Sequence, residues 1–330
     1  MLAVIIFFLF TALILYVLFG GADFGAGVLE TFLPKKNRET IAHAIAPIWE
    51  ANHVWLVLVV VILFVGFPKV YATVSNYLHI PILIVLLGVV LRGTAFTFRY
   101  YDPQKKRSEP VYSIIFQISS FVTPLFIGVT AGGMFLGKIH VQANTFAEGF
   151  INPWWNAFSF SLGLFTCCLF TFLAAVYLIG EAANEAEKKN FINAAKISNI
   201  ILVVLGGLVF ITANWNGFPL LEMFLDSTGA IVAVVIATVN LPLLWRFIHH
   251  GQVQLTRILA GVQTILIIGA FLLEQYPVLV HIADTDSLTI QNTVAPDAVI
   301  KQLMIALIIG SSFIFPSLIY LFKIFKREQF

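Results

Sequence analysis

Three ionisable residues stand at the margins of segments otherwise suited to lipid: Asp23, Glu50 and His53. Asp23 lies in a glycine-rich stretch, GGADFGAG, and Glu50 and His53 open a second apolar run, IAPIWEANHVWLVL. A charged side chain at the bilayer centre costs about 2.5–3.5 kcal/mol on insertion scales. Such groups are therefore retained for ion or proton chemistry, or they sit at headgroup level and are simply solvated. Both readings stand for Asp23 and Glu50.

Glu50 and His53 are spaced i, i+3, so on a helix their side chains share a face, which Trp49 and Asn52 flank. A carboxylate beside an imidazole passes protons near neutral pH. The competing reading is a hydrogen-bonded helix start, with Glu50 in the first turn favoured by the helix dipole. A Glu–His metal site lacks further ligands nearby. Gly20, Gly21, Gly25 and Gly27 allow a neighbouring helix to approach closely, which would bury Asp23 against protein instead of lipid. Arg92 either snorkels to the interface or pairs with an acid of a neighbouring span.

The elements that position these groups follow from composition. The 330 residues are 59% hydrophobic and 11% charged, with a mean hydropathy of +0.93. Soluble domains are about 45–50% apolar and about 25% charged, so this is the composition of an integral membrane protein. A net charge of +2 makes no case for nucleic acid. The opening MLAVIIFFLFTALILYVLFG has no basic n-region and no small-residue cleavage signal, and reads as a retained first span. Cys167 and Cys168 are adjacent, which excludes a disulfide framework and offers no metal-ligand spacing.

Apolar stretches of about 20 residues, enough to cross a bilayer, recur near 2–32, 48–68, 74–98, 112–134, 154–181, 192–214, 228–246, 254–275 and 299–323. Continuous apolar runs without period-two alternation predict helices. The expected fold is all-α: one polytopic membrane domain over 1–330 with nine transmembrane helices. Most of the 19 basic residues fall in alternate connections, including Lys35, Lys36 and Arg38, then Lys105, Lys106 and Arg107, then Lys188 and Lys189, and the tail. The positive-inside rule then puts the N-terminus outside and the C-terminus inside. Loop 276–298 carries Asp284, Asp286 and Asp297 and is polar enough to be ordered only by contact with a partner. One internal echo, IAPIWEA at 45–51 against INPWWNA at 151–157, places a proline at two helix starts and raises an inverted repeat. His43, His79, His140, His249, His250 and His281 lie near span ends or in loops. They supply no evident facing pair for heme ligation, so no heme held by this chain alone is expected.

These residues resemble subunit II of the cytochrome bd-type quinol oxidases. The likeness runs through GADFGAG, then IAPIWEANHVWLVL, where the family reads close to SIAPxWDGNxxWL. It continues through Phe67-Pro68-Lys69-Val70-Tyr71-Ala72 and Leu91-Arg92-Gly93-Thr94-Ala95-Phe96-Thr97-Phe98-Arg99. It is weaker but in register at Ile151-Asn152-Pro153 and across the last span. The resemblance implies a heme-free subunit with no catalytic or metal-binding residue of its own, in a bacterial or archaeal cell membrane. It implies a partner, subunit I, that carries hemes b and d and the quinol site, where quinol oxidation drives reduction of oxygen to water. It also implies a proton path from the inner side, with Glu50 at the acid of the WDGN element and Asp23 at the second acid of the span-one DGFDxG element. His53 is the third member expected there. Trp49, Asn52, Trp55, Arg92 and Arg99 are the expected structural and interface residues. A structural quinone and a small single-helix subunit are left open by the resemblance. The sequence departs from the pattern at Gly20 and Thr97, where the family places acids, and at His53, where Glu or Gln is common. Two alternatives remain beside this reading: a secondary transporter, from the intramembrane acids and the echo, and a purely structural membrane subunit.

Overall fold

The computed structural model describes residues 1–47, 49–101 and 105–327. Among them, nine helices are long and apolar enough to cross a membrane: Leu2–Phe32, Trp49–Gly66, His79–Arg99, Pro110–Phe135, Ala157–Leu178, Glu185–Trp215, Thr228–His249, Val253–Gln275 and Asp297–Leu318. In chain order they are the first to ninth spans. All nine fall where apolar runs predict them, with shifted ends. The third span starts at His79 instead of 74, because Pro68 opens a separate short helix, Pro68–Tyr77, at its first turn. A missing N–H costs nothing at that position. The sixth begins at Glu185 instead of 192, because the Asn184 side chain accepts a hydrogen bond from the Glu187 N–H and caps the helix. Lys188 and Lys189, expected in a connection, therefore lie on that helix. Of the expected basic loop 99–111, residues 102–104 lie outside the described part, as does Ile48 of the IAPIWEA stretch.

The fifth span is the hub. It is 72% buried over its most apolar window, against 39% or less for every other span. Small residues make its close contacts. A Cβ on Gly128 would strike the backbone at Leu162–Gly163, one on Gly132 would strike Ser159, and one on Gly25 would run into the backbone of Phe170 and Thr171. Helix association in lipid depends on such approaches, because apolar side chains gain nothing by leaving apolar solvent. The first span is not regular throughout: a π-helical turn, Tyr16–Gly20, interrupts it. Gly20 closes that turn, where a Cβ would collide with the Tyr16 ring.

Loop 276–298 corrects the expectation of order only through a partner. Strand β1 (Val278–Val280) pairs antiparallel with β2 (Leu288–Thr289), and a capping box at Thr289 starts the short helix Ile290–Thr293. The loop is zipped to the end of the fourth span and to loop 136–156 of the same chain. His281 N–H donates to Met134 O and Ala283 N–H to Ile139 O, each at 2.9 Å. The Asp284 carboxylate accepts from the N–H groups of Val141 (3.1 Å) and Gln142 (2.8 Å). Those two donors hold the Asp284 carboxyl below its usual range. Both prolines of the echo stand in turns just ahead of a span: Pro47 before the second, which starts at Trp49, and Pro153 before the fifth, which Asn156 caps.

Candidate functional site

The first four spans enclose a polar cluster in an otherwise apolar bundle. Asp23, on Gly21–Phe32 beyond the π-turn, is 4% exposed. Its carboxylate accepts a hydrogen bond from Asn52 Nδ2 at 2.7 Å, and the same amide reaches Phe19 O at 3.4 Å. Asn52 can do this because it lies on the buried face of the second span with Trp55, while Glu50 and Val54 lie on the outer face. A buried carboxylate without a donor would cost several kcal/mol, so Asn52 is the group that allows Asp23 to stand here.

Arg92 is 1% exposed. Its Nη2 donates to the backbone carbonyl of Asp23 at 2.7 Å, and its Cζ stands 4.7 Å from the Phe24 ring centre and 5.2 Å from that of Phe116. It neither snorkels nor grips the Asp23 carboxylate. The direct carboxylate–guanidinium contact is made one level away, by Arg99. Its Nη1 and Nη2 donate to the two Glu30 oxygens at 2.7 and 2.9 Å in a forked geometry. The Glu30 side chain is fully buried there.

His53 is half-buried in an aromatic box: Phe24 at 5.9 Å, Trp49 at 6.4 Å and Tyr16 at 6.5 Å between ring centres. His53 Nδ1 and Tyr16 Oη are buried atoms with no hydrogen-bond partner among the described residues. Such atoms bind ordered water or face a proton-exchanging neighbour. Glu50 is exposed on the chain's surface and forms no ion pair with His53, although the two share a helix. Trp49 packs on Phe96 at 5.7 Å, and Trp55, 5% exposed, lies 5.7 Å from Phe315 of the ninth span. Thr97, where the family places an acid, is exposed.

The structure thus brings Asp23, Asn52, Arg92 and His53 together with Tyr16 and leaves Glu50 outside this cluster. Beside Glu187 on the sixth span, also buried, Glu30 is the acid near this cluster that reading the sequence missed. It had a signal: Asp23 and Glu30 are spaced i, i+7 on one helix, as are Arg92 and Arg99 on another, and this spacing repeats a helix face. Among the described residues, no three of His, Cys, Asp and Glu come together as a metal-binding group.

Known proteins supply the frame for this geometry. The family profile for cytochrome bd terminal oxidase subunit II matches residues 1–325. The chain is 26% identical over 318 residues to the cytochrome bd ubiquinol oxidase subunit 2 of Bacillus subtilis (strain 168), covering 93% of this chain and 90% of that one. It is 25% identical over 333 residues to the putative cytochrome bd menaquinol oxidase subunit II of the same organism, covering 96% and 92%. Its fold is similar to the bd oxidase from Geobacillus thermodenitrificans, with a TM-score of 0.77 and 98% of each chain covered at 19% identity. With a profile match over nearly its whole length and a fold to accord with it, this chain belongs to the cytochrome bd terminal oxidase subunit II family.

Proposed function

We propose that this chain is the heme-free subunit of a quinol oxidase, that it pairs with and stabilises a heme-bearing subunit I, and that it contributes a proton path from the cytoplasmic side. The family supports quinol oxidase activity for the assembly and a heme-bearing partner, and nine apolar helices support a multi-pass place in the bacterial cell membrane. The hemes b and d and the quinol site belong to the partner in this reading. The basic connections support the orientation of this reading, with the N-terminus outside.

The observation that carries the proton path is the company Asp23 keeps: a buried carboxylate held by Asn52, with the unpartnered His53 Nδ1 and Tyr16 Oη in the same cluster. Proton transfer needs titratable groups or ordered water within hydrogen-bond reach; this cluster supplies the former, and its unpartnered atoms are suited to bind the latter. Glu50, His53 and Asp23 form the path in that order. The partner covers Glu50, which is open on this chain alone.

The test is oxygen consumption and proton uptake by the intact complex carrying Glu50→Ala or Asp23→Asn. Each variant is expected to slow turnover at least tenfold while the heme spectrum stays intact. Wild-type turnover and proton uptake in either would remove that residue from the path. The exposure of Glu50 favours a second reading, a structural subunit whose acids are hydrogen-bond anchors. Kinetics unmoved by changes at Asp23, Glu50 and His53 together would establish it.

A further inference from the structure

At the end of the bundle that carries Lys188 and Lys189, two polar contacts join the sixth and seventh spans. Lys196 Nζ donates to His249 Nδ1 at 3.1 Å, and one turn deeper Trp245 Nε1 donates to Asn199 Oδ1 at 2.8 Å. These contacts fix which faces of the two helices meet. Each residue turns a helix by about 100°, so Lys196, Ile200, Val203 and Gly207 fall within about 60° of one another on the sixth span. Arg246, Leu243, Val239 and Val235 fall within about 80° on the seventh. The helices run antiparallel, the start of one meeting the end of the other, so both stripes lie on the same side of the contact line. Asn199, Leu202, Leu244 and Ile248 turn to the other side and are buried against the bundle.

The outer side is therefore an aliphatic groove. Ile200, Val203, Val235, Val239 and Leu243 are all exposed, and a Cβ on Gly207 would meet nothing within 4 Å. From Lys196 to Gly207 the sixth helix rises ~16 Å, the depth of one leaflet in a hydrocarbon core about 30 Å thick. The mouth of the groove is cationic. Lys189 and Arg246 are exposed, and among the described residues no side-chain hydrogen bond or ion pair engages either. Lys196 spends one of its N–H groups on His249 and keeps the others. Acids do not balance these charges. The seventh span has none, and the two on the sixth lie elsewhere: Glu185 stands 3.8 Å from Lys188, and Glu187 accepts from Thr40.

We propose that this groove binds one anionic phospholipid, its phosphate held by Lys196 and Arg246 and an acyl chain laid along Ile200, Val203 and Gly207. Basic pockets between membrane helices take phosphate headgroups in this way. Two independent features choose the occupant. An apolar track one leaflet long has no use for a soluble anion, and an unbalanced positive mouth discriminates against a zwitterionic lipid. Lysines at span ends often snorkel as mobile chains, but Lys196 is pinned by His249. A protein occupant fits less well. The partner of the proposed complex covers Glu50 on the second span, whereas the sixth span packs on the fifth. The inference holds whether or not Asp23 carries protons.

The experiment is native mass spectrometry of the intact complex, released from detergent micelles doped with dioleoylphosphatidylglycerol or dioleoylphosphatidylcholine. Lys196→Gln combined with Arg246→Gln is expected to retain one phosphatidylglycerol fewer than wild type, with the phosphatidylcholine count unchanged and the heme spectrum intact. Gly207→Trp fills the track without touching the charges and is expected to lose the same molecule. Wild-type retention of phosphatidylglycerol in either variant overturns the proposal. So does an equal loss of phosphatidylcholine in the charge variant, since the headgroup would then not be recognised by its charge. Should the variants fail to assemble, the wild-type complex decides. A phosphatidylglycerol with a photoreactive acyl chain is expected to crosslink within residues 196–207 or 235–246, and crosslinks confined to other segments overturn the site. Failure of the proton path would appear separately, as normal turnover in Asp23→Asn.

Discussion

Glu30→Gln tests whether the forked pair at the end of the first span is needed for stability or merely present. The Glu30 side chain is fully buried and that of Arg99 is 9% exposed, and two charge-assisted hydrogen bonds at 2.7 and 2.9 Å join them. Glutamine keeps the shape and one acceptor oxygen but removes the charge, leaving a guanidinium without a counter-ion in a low-dielectric interior beside the Phe116 and Phe96 faces. Removing one partner of a buried pair costs about 3–5 kcal/mol, most of it the stranded charge. At about 2 °C per kcal/mol for a large domain, the intact complex should melt roughly 6–10 °C lower. The double variant Glu30→Gln with Arg99→Met removes both charges and should recover more than half of that loss, since buried pairs are often replaceable by apolar groups. Thermal unfolding of the purified complex, followed by heme absorbance and tryptophan fluorescence, reads both. A single variant that melts within about 1 °C of wild type would refute the reasoning, since the structure-derived penalty is several times larger. So would a double variant no more stable than the single, because it would show that the stranded charge is not the cost.

Two further predictions concern packing and the outer loops. Gly25→Leu drives a side chain into the backbone of Phe170 and Thr171, where even a Cβ has no room. It should abolish recovery of assembled complex, and a yield above about half of wild type would mean the first and fifth spans are not so closely opposed. Asp284→Asn weakens the acceptor for the Val141 and Gln142 N–H groups, so exchange protection at those amides should fall while the spans keep theirs. The folded carboxyl titrates below its unfolded value, so this contribution is present above pH about 4 and fades as pH falls through the folded value. Unchanged amide exchange in Asp284→Asn at pH 7 would show that the two loops are held by their backbone contacts alone.

The spans were legible because each apolar run is long enough to cross a bilayer and lipid leaves the backbone no other choice. The ends were less so: the Asn184 cap starts the sixth helix well ahead of its apolar run, and hydropathy does not see caps. Asp23 was legible as an acid among glycines. Its partner Asn52 was legible only as a flanking residue, because the bond joins different helices. Glu30 was hidden by position. An acid at the end of a span, just ahead of Lys35 and Lys36, reads as a headgroup residue until Arg99 is found against it. Loop 276–298 misled for a related reason: its polarity suggested a need for outside contact, but the donors and acceptors that order it come from another loop of the same chain.

The widened turn at Tyr16–Gly20 has a consequence for how this chain can change over generations. A π-turn accommodates one residue more than an ordinary turn, and each residue of a helix rotates its successor by about 100°. Because the wider turn absorbs that extra residue, losing it would restore regular winding and leave Asp23 and Glu30 close to the face they now occupy, whereas a loss from an ordinary turn rotates everything beyond it by about 100°. That five-residue segment is therefore a place where the first span can lose one residue without turning its far end. A one-codon deletion within it spares both acids, whereas the same deletion in the regular helix between it and Asp23 would dislodge them at a stroke.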